Sequence, residues 1–188
     1  MSQPSLRPQD VLVLAKLLTY SGARPPMSQM GAELSISPSE VHGALKRLEL
    51  ARLIANDGGS RPVLQAVEEF LVHGVKYAFP PSRGGVTRGV PTSYAAAPLS
   101  RMIVASADLP PVWPHADGAI RGVSLEPLYR SVPAAALRDP ALHELLALID
   151  ALRDGKARER KLAEAELSTR IHGHADDRSQ PGTAGKRR

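Results

Sequence analysis

Ser37-Pro38-Ser39-Glu40 constrains this chain more than any other four residues, because it carries every element of a helix start. The Ser37 hydroxyl is placed to cap the first turn, Pro38 sits where no N–H partner is needed, and Glu40 occupies the capping-box position. The helix it opens runs to about Leu50, with Val41, Ala44, Leu45 and Leu48 on one face. Upstream, Met27 to Ser35 reads as a short helix with Met30 and Leu34 inward, and Ile36 lies in the turn between the two. Earlier still, Gln9 to Tyr20 sets Val11, Leu14, Ala15 and Leu18 at helical spacing, and Ser21-Gly22 followed by Ala23-Arg24-Pro25-Pro26 ends the element.

A helix-turn-helix needs two short helices locked by apolar residues, a tight turn between them, and a second helix whose outer face is free for the major groove. The spacing of Met30, Leu34, Ile36, Val41, Ala44 and Leu45 resembles that of bacterial transcriptional regulators. With the preceding helix and a short strand at Arg52-Leu53-Ile54, residues 6–60 resemble a winged helix-turn-helix of the MarR-like family. Ser35 stands where such proteins usually carry Gly in the turn, and Gly31 where the first helix usually has Ala. The wing is truncated: Asn56-Asp57-Gly58-Gly59 is turn chemistry, but Pro62 follows where a second strand should pair, and Pro cannot donate to a ladder.

The resemblance implies a recognition helix from Pro38 to Leu50, with Ser37, Ser39, His42, Gly43, Lys46 and Arg47 toward double-stranded DNA and Arg61 reaching a phosphate from the wing. Ser37 and Ser39 lie at a helix N-terminus that favours phosphate, Lys46 and Arg47 are phosphate or guanine ligands, and His42 suits a base edge. So few base readers imply a homodimer on two half-sites.

Residues 74–133 hold nine of the 17 prolines yet keep Tyr77, Phe79, Tyr94, Trp113 and Tyr129, which predicts an ordered, loop-rich segment rather than a linker. Pro62 is expected to open an amphipathic helix carrying Val63, Val67, Phe70 and Leu71, ending at His73-Gly74. Val75 to Phe79 and Ala119 to Ser124 read as strands, and Ser82 to Gly89 as a Gly-rich surface loop, with cradling of a phosphate or of DNA by its two arginines as the alternative, though it lacks the Gly-Lys-Ser/Thr ending of a nucleotide P-loop. Trp113, between prolines, reads as a packing residue. From Pro140 to Leu167 the pattern is helical, divided at Asp154-Gly155, with Leu142, Leu145, Leu146, Ile149 and Leu152 as one stripe and a candidate dimer seam. Residues 121–133, with 89–92 and 111–114, resemble uncharacterised bacterial proteins, which implies no ligand or chemistry.

The expected fold is therefore mainly α: a DNA-binding unit over 1–75, an ordered segment with short strands over 76–133, a helical dimerisation or packing unit over 134–172, and a disordered basic tail over 173–188. The charge excess is modest, 24 Lys and Arg against 19 Asp and Glu. Two units of it fall in the tail, so the placement of charge matters more than its sum. With no cysteine, a disulfide framework and a thiol nucleophile are excluded. No nucleophile elbow, acid/base carboxylate pair, metal spacing or cofactor motif is present, so the chain does not read as an enzyme. No apolar run is long enough for a signal peptide or a membrane span, and the expected location is cytoplasmic. Two alternatives stay open: an antitoxin-like protein-interaction module with autoregulatory DNA binding, and a ligand-sensing regulator with a pocket lined by Tyr77, Phe79, Tyr94 and Trp113.

Overall fold

The run Val11-Leu12-Val13-Leu14-Ala15 gives the first helix apolar side chains all round, and such a helix belongs inside a protein. The computed structural model, which describes residues 5–104 and 108–179 with side chains to residue 173, places it there. In α1 (Pro8–Leu17), every residue from Gln9 to Leu17 is buried. One flank packs on α3 (Pro38–Leu50), the other on α7 (Pro140–Asp154). α2 (Met27–Leu34) lies against α3 and ends where Ser35 adopts left-handed backbone, φ 55 and ψ 44. That is the turn conformation Gly would favour, here taken by Ser. Gly31 has its own reason: a Cβ there would lie 2.7 Å from the Ile36 carbonyl oxygen, so the turn closes only over a glycine.

After α3 the chain forms a minimal hairpin in which Ile54 bridges Pro62. The bonds come from the flanking residues, Ala55 N–H to Arg61 O at 2.7 Å and Val63 N–H to Leu53 O at 2.9 Å. Ile54 and Pro62 are thus a non-hydrogen-bonded pair, and the proline is never asked for the N–H it lacks. The next helix begins at Leu64, not Pro62. It continues through α4 (Leu64–Glu69), a π-helical turn (Phe70–Gly74) and α5 (Val75–Ala78). The expected strand at Val75 to Phe79 is therefore helical. The wide π turn rotates the helix so that Val75 keeps facing the core and Tyr77 faces water.

The expected Gly-rich loop is also replaced, because Arg83–Pro91 is a strand, β1. It pairs antiparallel with β2 (Pro111–Pro114) and β3 (Ile120–Leu125), while β2 and β3 pair in parallel, so the three strands close on one another. Closure this tight leaves little interior. A Cβ at Gly89 or Gly122 would collide with Val112 and with backbone carbonyls, and Val112 fills the space. α6 (Val132–Arg138), α7 and α8 (Ala157–Ser179) complete the fold, with the break at Gly155 where the sequence sets it.

One apolar core runs through α1, α2, α3, α4, the sheet, α6, α7 and α8. The expected boundaries at 75 and 133 do not divide it. The leucine stripe of α7 is buried inside the same chain, Leu142, Leu146 and Ile149 at 1% exposure or less, and so offers no dimer seam. α8 continues to Ser179 rather than ending near Ile171, and the Lys186-Arg187-Arg188 end of the expected tail lies outside the described residues. Trp113 is a core residue. Its Nε1–H donates to Asp150 at 2.6 Å, beside Thr92 Oγ1–H at 2.9 Å and an ion pair with Arg153 at 2.6 Å. Burial pushes the Asp150 carboxyl up, against the pull of Arg153, Thr92 and Trp113. The fold is mainly helical with one small sheet, and among the described residues no helix is long and apolar enough to cross a membrane.

Candidate nucleic-acid interface

The capping box at the start of α3 is complete. The Ser37 N–H donates to Glu40 Oε2 at 2.8 Å and the Glu40 N–H to Ser37 Oγ at 3.2 Å. The Ser37 hydroxyl also donates to Glu40 and approaches Ser39 Oγ at 3.0 Å, so it is committed to the cap. Bonds from the Ser37 N–H, the Ser37 hydroxyl and Tyr129 hold the Glu40 carboxyl down at about 2. Glu40 is thus a permanent negative charge at this helix end, and it tempers the phosphate preference of the N-terminus.

Downstream of the cap, α3 divides cleanly. Val41, Ala44, Leu45 and Leu48 are buried, while Ser39, His42 and Lys46 are exposed at helical spacing, with Gly43 half-buried between them. Among the described residues, no hydrogen bond or ion pair occupies the side chains of His42 and Lys46.

Arg47 is placed otherwise than expected. Its guanidinium turns back onto α1 and grips Asp10 with two bonds, Nε–H to Oδ2 at 2.8 Å and Nη2–H to Oδ1 at 2.6 Å. Asp10 is fully buried and also accepts the Arg7 N–H at 2.8 Å. This bidentate pair raises the Arg47 pKa and fixes the angle between α1 and α3. Arg47 thus holds α3 against α1, and its guanidinium is taken up by Asp10. Arg61 is exposed on the hairpin but bound by Asp57, whose second oxygen accepts the Gly59 N–H at 2.9 Å and shapes the turn.

The fold adds two cations that the sequence does not single out. Arg7, exposed at the start of α1, joins Gln9, Ser39, Glu40, Gly43 and Arg47 around a shallow dent of about 200 Å³. On the other side, Tyr129 OH donates to Glu40 Oε1 at 2.8 Å and carries the exposed Arg130, whose guanidinium lies 5.6 Å from the Tyr129 ring centre. Pro8 after Arg7 is a visible helix-start signal. Nothing local announces Arg130, which is carried to α3 by its neighbour Tyr129, 89 positions from Glu40.

Polar ties join α1 and α2 to α6 and the start of α7. Lys16 pairs with Glu33 of α2 at 2.8 Å and with Asp139, the N-cap of α7, at 2.7 Å. Burial alone would lower the Lys16 pKa, but its bonds to Asp139 and Glu33 reverse this and raise it. Arg138 donates to the Glu33 carbonyl and the Ser35 hydroxyl, clasping the turn itself.

Other candidates do not assemble. Tyr77 is 78% exposed and Trp113 only 1%, so these two do not share the wall of a ligand pocket. His172 lies 3.5 Å from Glu68, the His174 side chain is outside the described residues, and among the described residues no three metal-ligating groups converge. Comparison of the chain with protein-family models, with curated proteins and with solved structures gives no match in any of the three.

Proposed function

We propose that this chain is a DNA-binding regulator of the winged-helix kind that sets α3 into the major groove. The observation that carries the reading is the two-sided character of α3: one face is locked into the core, and the other presents Ser39, His42 and Lys46 to solvent, the last two with no side-chain partner among the described residues. The left-handed turn at Ser35 and the minimal hairpin at Ile54 and Pro62 supply the remaining parts of that architecture. Arg7 and Arg130, flanking the helix start, are the phosphate contacts that orient it, and Lys46 and His42 reach base edges or phosphate deeper in the groove. The dent beside Gly43 leaves room for close approach of a backbone.

The test is a gel shift on the promoter of the protein's own gene across a salt series. Replacing His42 and Lys46 together by Ala weakens binding and flattens the salt dependence by about one unit of slope, while circular dichroism stays unchanged. Unaltered binding by that variant overturns the reading.

A further inference from the structure

The outer face of the β1–β3 pair carries two cations set directly against each other. Arg88 and Arg121 are register partners across the antiparallel strands. Opposite side chains on such a pair have Cβ atoms about 5 Å apart, and like charges so placed destabilise the sheet unless something bridges them. Both arginines are exposed, and among the described residues neither makes an ion pair or hydrogen bond through its side chain. Arg83, the other arginine of β1, is by contrast neutralised by Asp154 at 2.6 Å. Asp117, on the turn beside Gly89, lies 3.9 Å from His115 and pairs with neither arginine.

The strand geometry gives the pair its aim. Gly84 and Gly85 oppose the single residue Ser124, a bulge between the Arg83 and Val86 registers that re-aims the side chains after it. Val86, Arg88 and Val90 then share a face with Val123, Arg121 and Trp113. Val90 and Trp113 sit in the core, whereas Val86 is 51% exposed, so the arginines stand where that face emerges into water.

We propose that Arg88 and Arg121 together grip the phosphate backbone of nucleic acid, as a second contact beyond the one made by α3. Two guanidinium forks side by side match phosphate oxygens, and an anion between them removes the repulsion. Eight residues separate Arg121 from Tyr129, which touches the start of α3. A fully extended chain of that length spans about 28 Å, less than the ~34 Å helical turn of B-DNA, so one duplex is long enough to meet both sites. The inference rests on the reading of α3 as a DNA-contacting helix.

The experiment measures fluorescence anisotropy of a labelled mixed-sequence duplex of about 30 base pairs against salt, with wild type, R88A/R121A, R88K/R121K and Lys46→Ala in parallel. The double alanine variant lowers the slope of log K against log salt by about two and weakens binding about tenfold at moderate salt. The double lysine variant keeps most of the slope. Arg121→Glu, which gives Arg88 an opposite charge across the strands, binds no better than the double alanine variant and melts no lower than wild type. A wild-type slope in R88A/R121A, with Lys46→Ala still impaired, overturns the second contact and leaves the α3 reading intact. Absence of duplex binding by the wild type overturns both.

Discussion

Arg47 and Lys46 are neighbours in sequence and near-equivalent in chemistry, yet they do different work. Lys46 points to solvent, whereas Arg47 neutralises a carboxylate with no exposed surface. Removing one member of a buried pair strands the other, at a cost of about 3 kcal/mol. Arg47→Ala is therefore expected to lower the urea midpoint substantially whether or not DNA is present. Arg47→Lys recovers only part of it, because an ammonium does not reproduce the two-bond fork. Glu40 gives a second residue-scale expectation. Its folded pKa of about 2 lies below the ordinary 4.5, so its contribution is present above pH 4.5 and is lost as the pH falls toward 2. Thermal melts of wild type and Glu40→Gln should differ most above 4.5 and converge below it. The cap itself was readable in Ser37-Pro38-Ser39-Glu40. The inward turn of Arg47 was not, since Asp10 lies 37 positions away and no periodicity links them.

At the scale of elements, helices with a clear period were legible, as was the strand at Ala119 to Ser124, found as β3 (Ile120–Leu125), whereas β1 was not. α3 runs over Pro38–Leu50 as its cap and stripe require, and Gly155 divides α7 from α8. β1 looked like a loop because Arg83-Gly84-Gly85 lacks the branched and aromatic residues that mark strands. Farther along, Gly89 of β1 and Gly122 of β3 answer to a different requirement, the closeness of the three strands. Gly122→Ala should show this directly: its methyl has no room beside the Pro110 carbonyl and Val112. Overpacking of this sort costs about 2–3 kcal/mol, measurable as a lower melting temperature with helical circular dichroism largely retained just below it. The stretch Val75 to Phe79 failed in the opposite direction. Its alternation suited a strand, but the preceding helix carried through it by way of the π turn.

For the molecule as a whole, one apolar core links the N-terminal helices to the C-terminal ones, because the buried α1 packs against both α3 and α7. Unfolding should accordingly be a single transition, seen alike by calorimetry and by Trp113 fluorescence. Leu146→Ala, at a fully packed site in α7, should cost about 3 kcal/mol and lower that one transition without splitting it. A second transition would mean that the N-terminal helices fold as a separate unit. The burial of the leucine stripe also moves any self-association to another surface.

What the sequence determined by itself is local: where α3 starts, which of its faces is apolar, where the turn before it must go left-handed, and where the last helices part. Each follows from interactions within a few residues, which capping groups, glycine, proline and helical period encode directly. What only the tertiary structure decided is which polar side chains remain available once the chain is packed. Arg47 was withdrawn by Asp10, Arg130 was brought to α3 by the bond between Tyr129 and Glu40, and Arg88 was set against Arg121 by strand register. Those pairings join residues 33 to 89 positions apart, and a charge so distant along the chain leaves no trace in the local pattern around its partner.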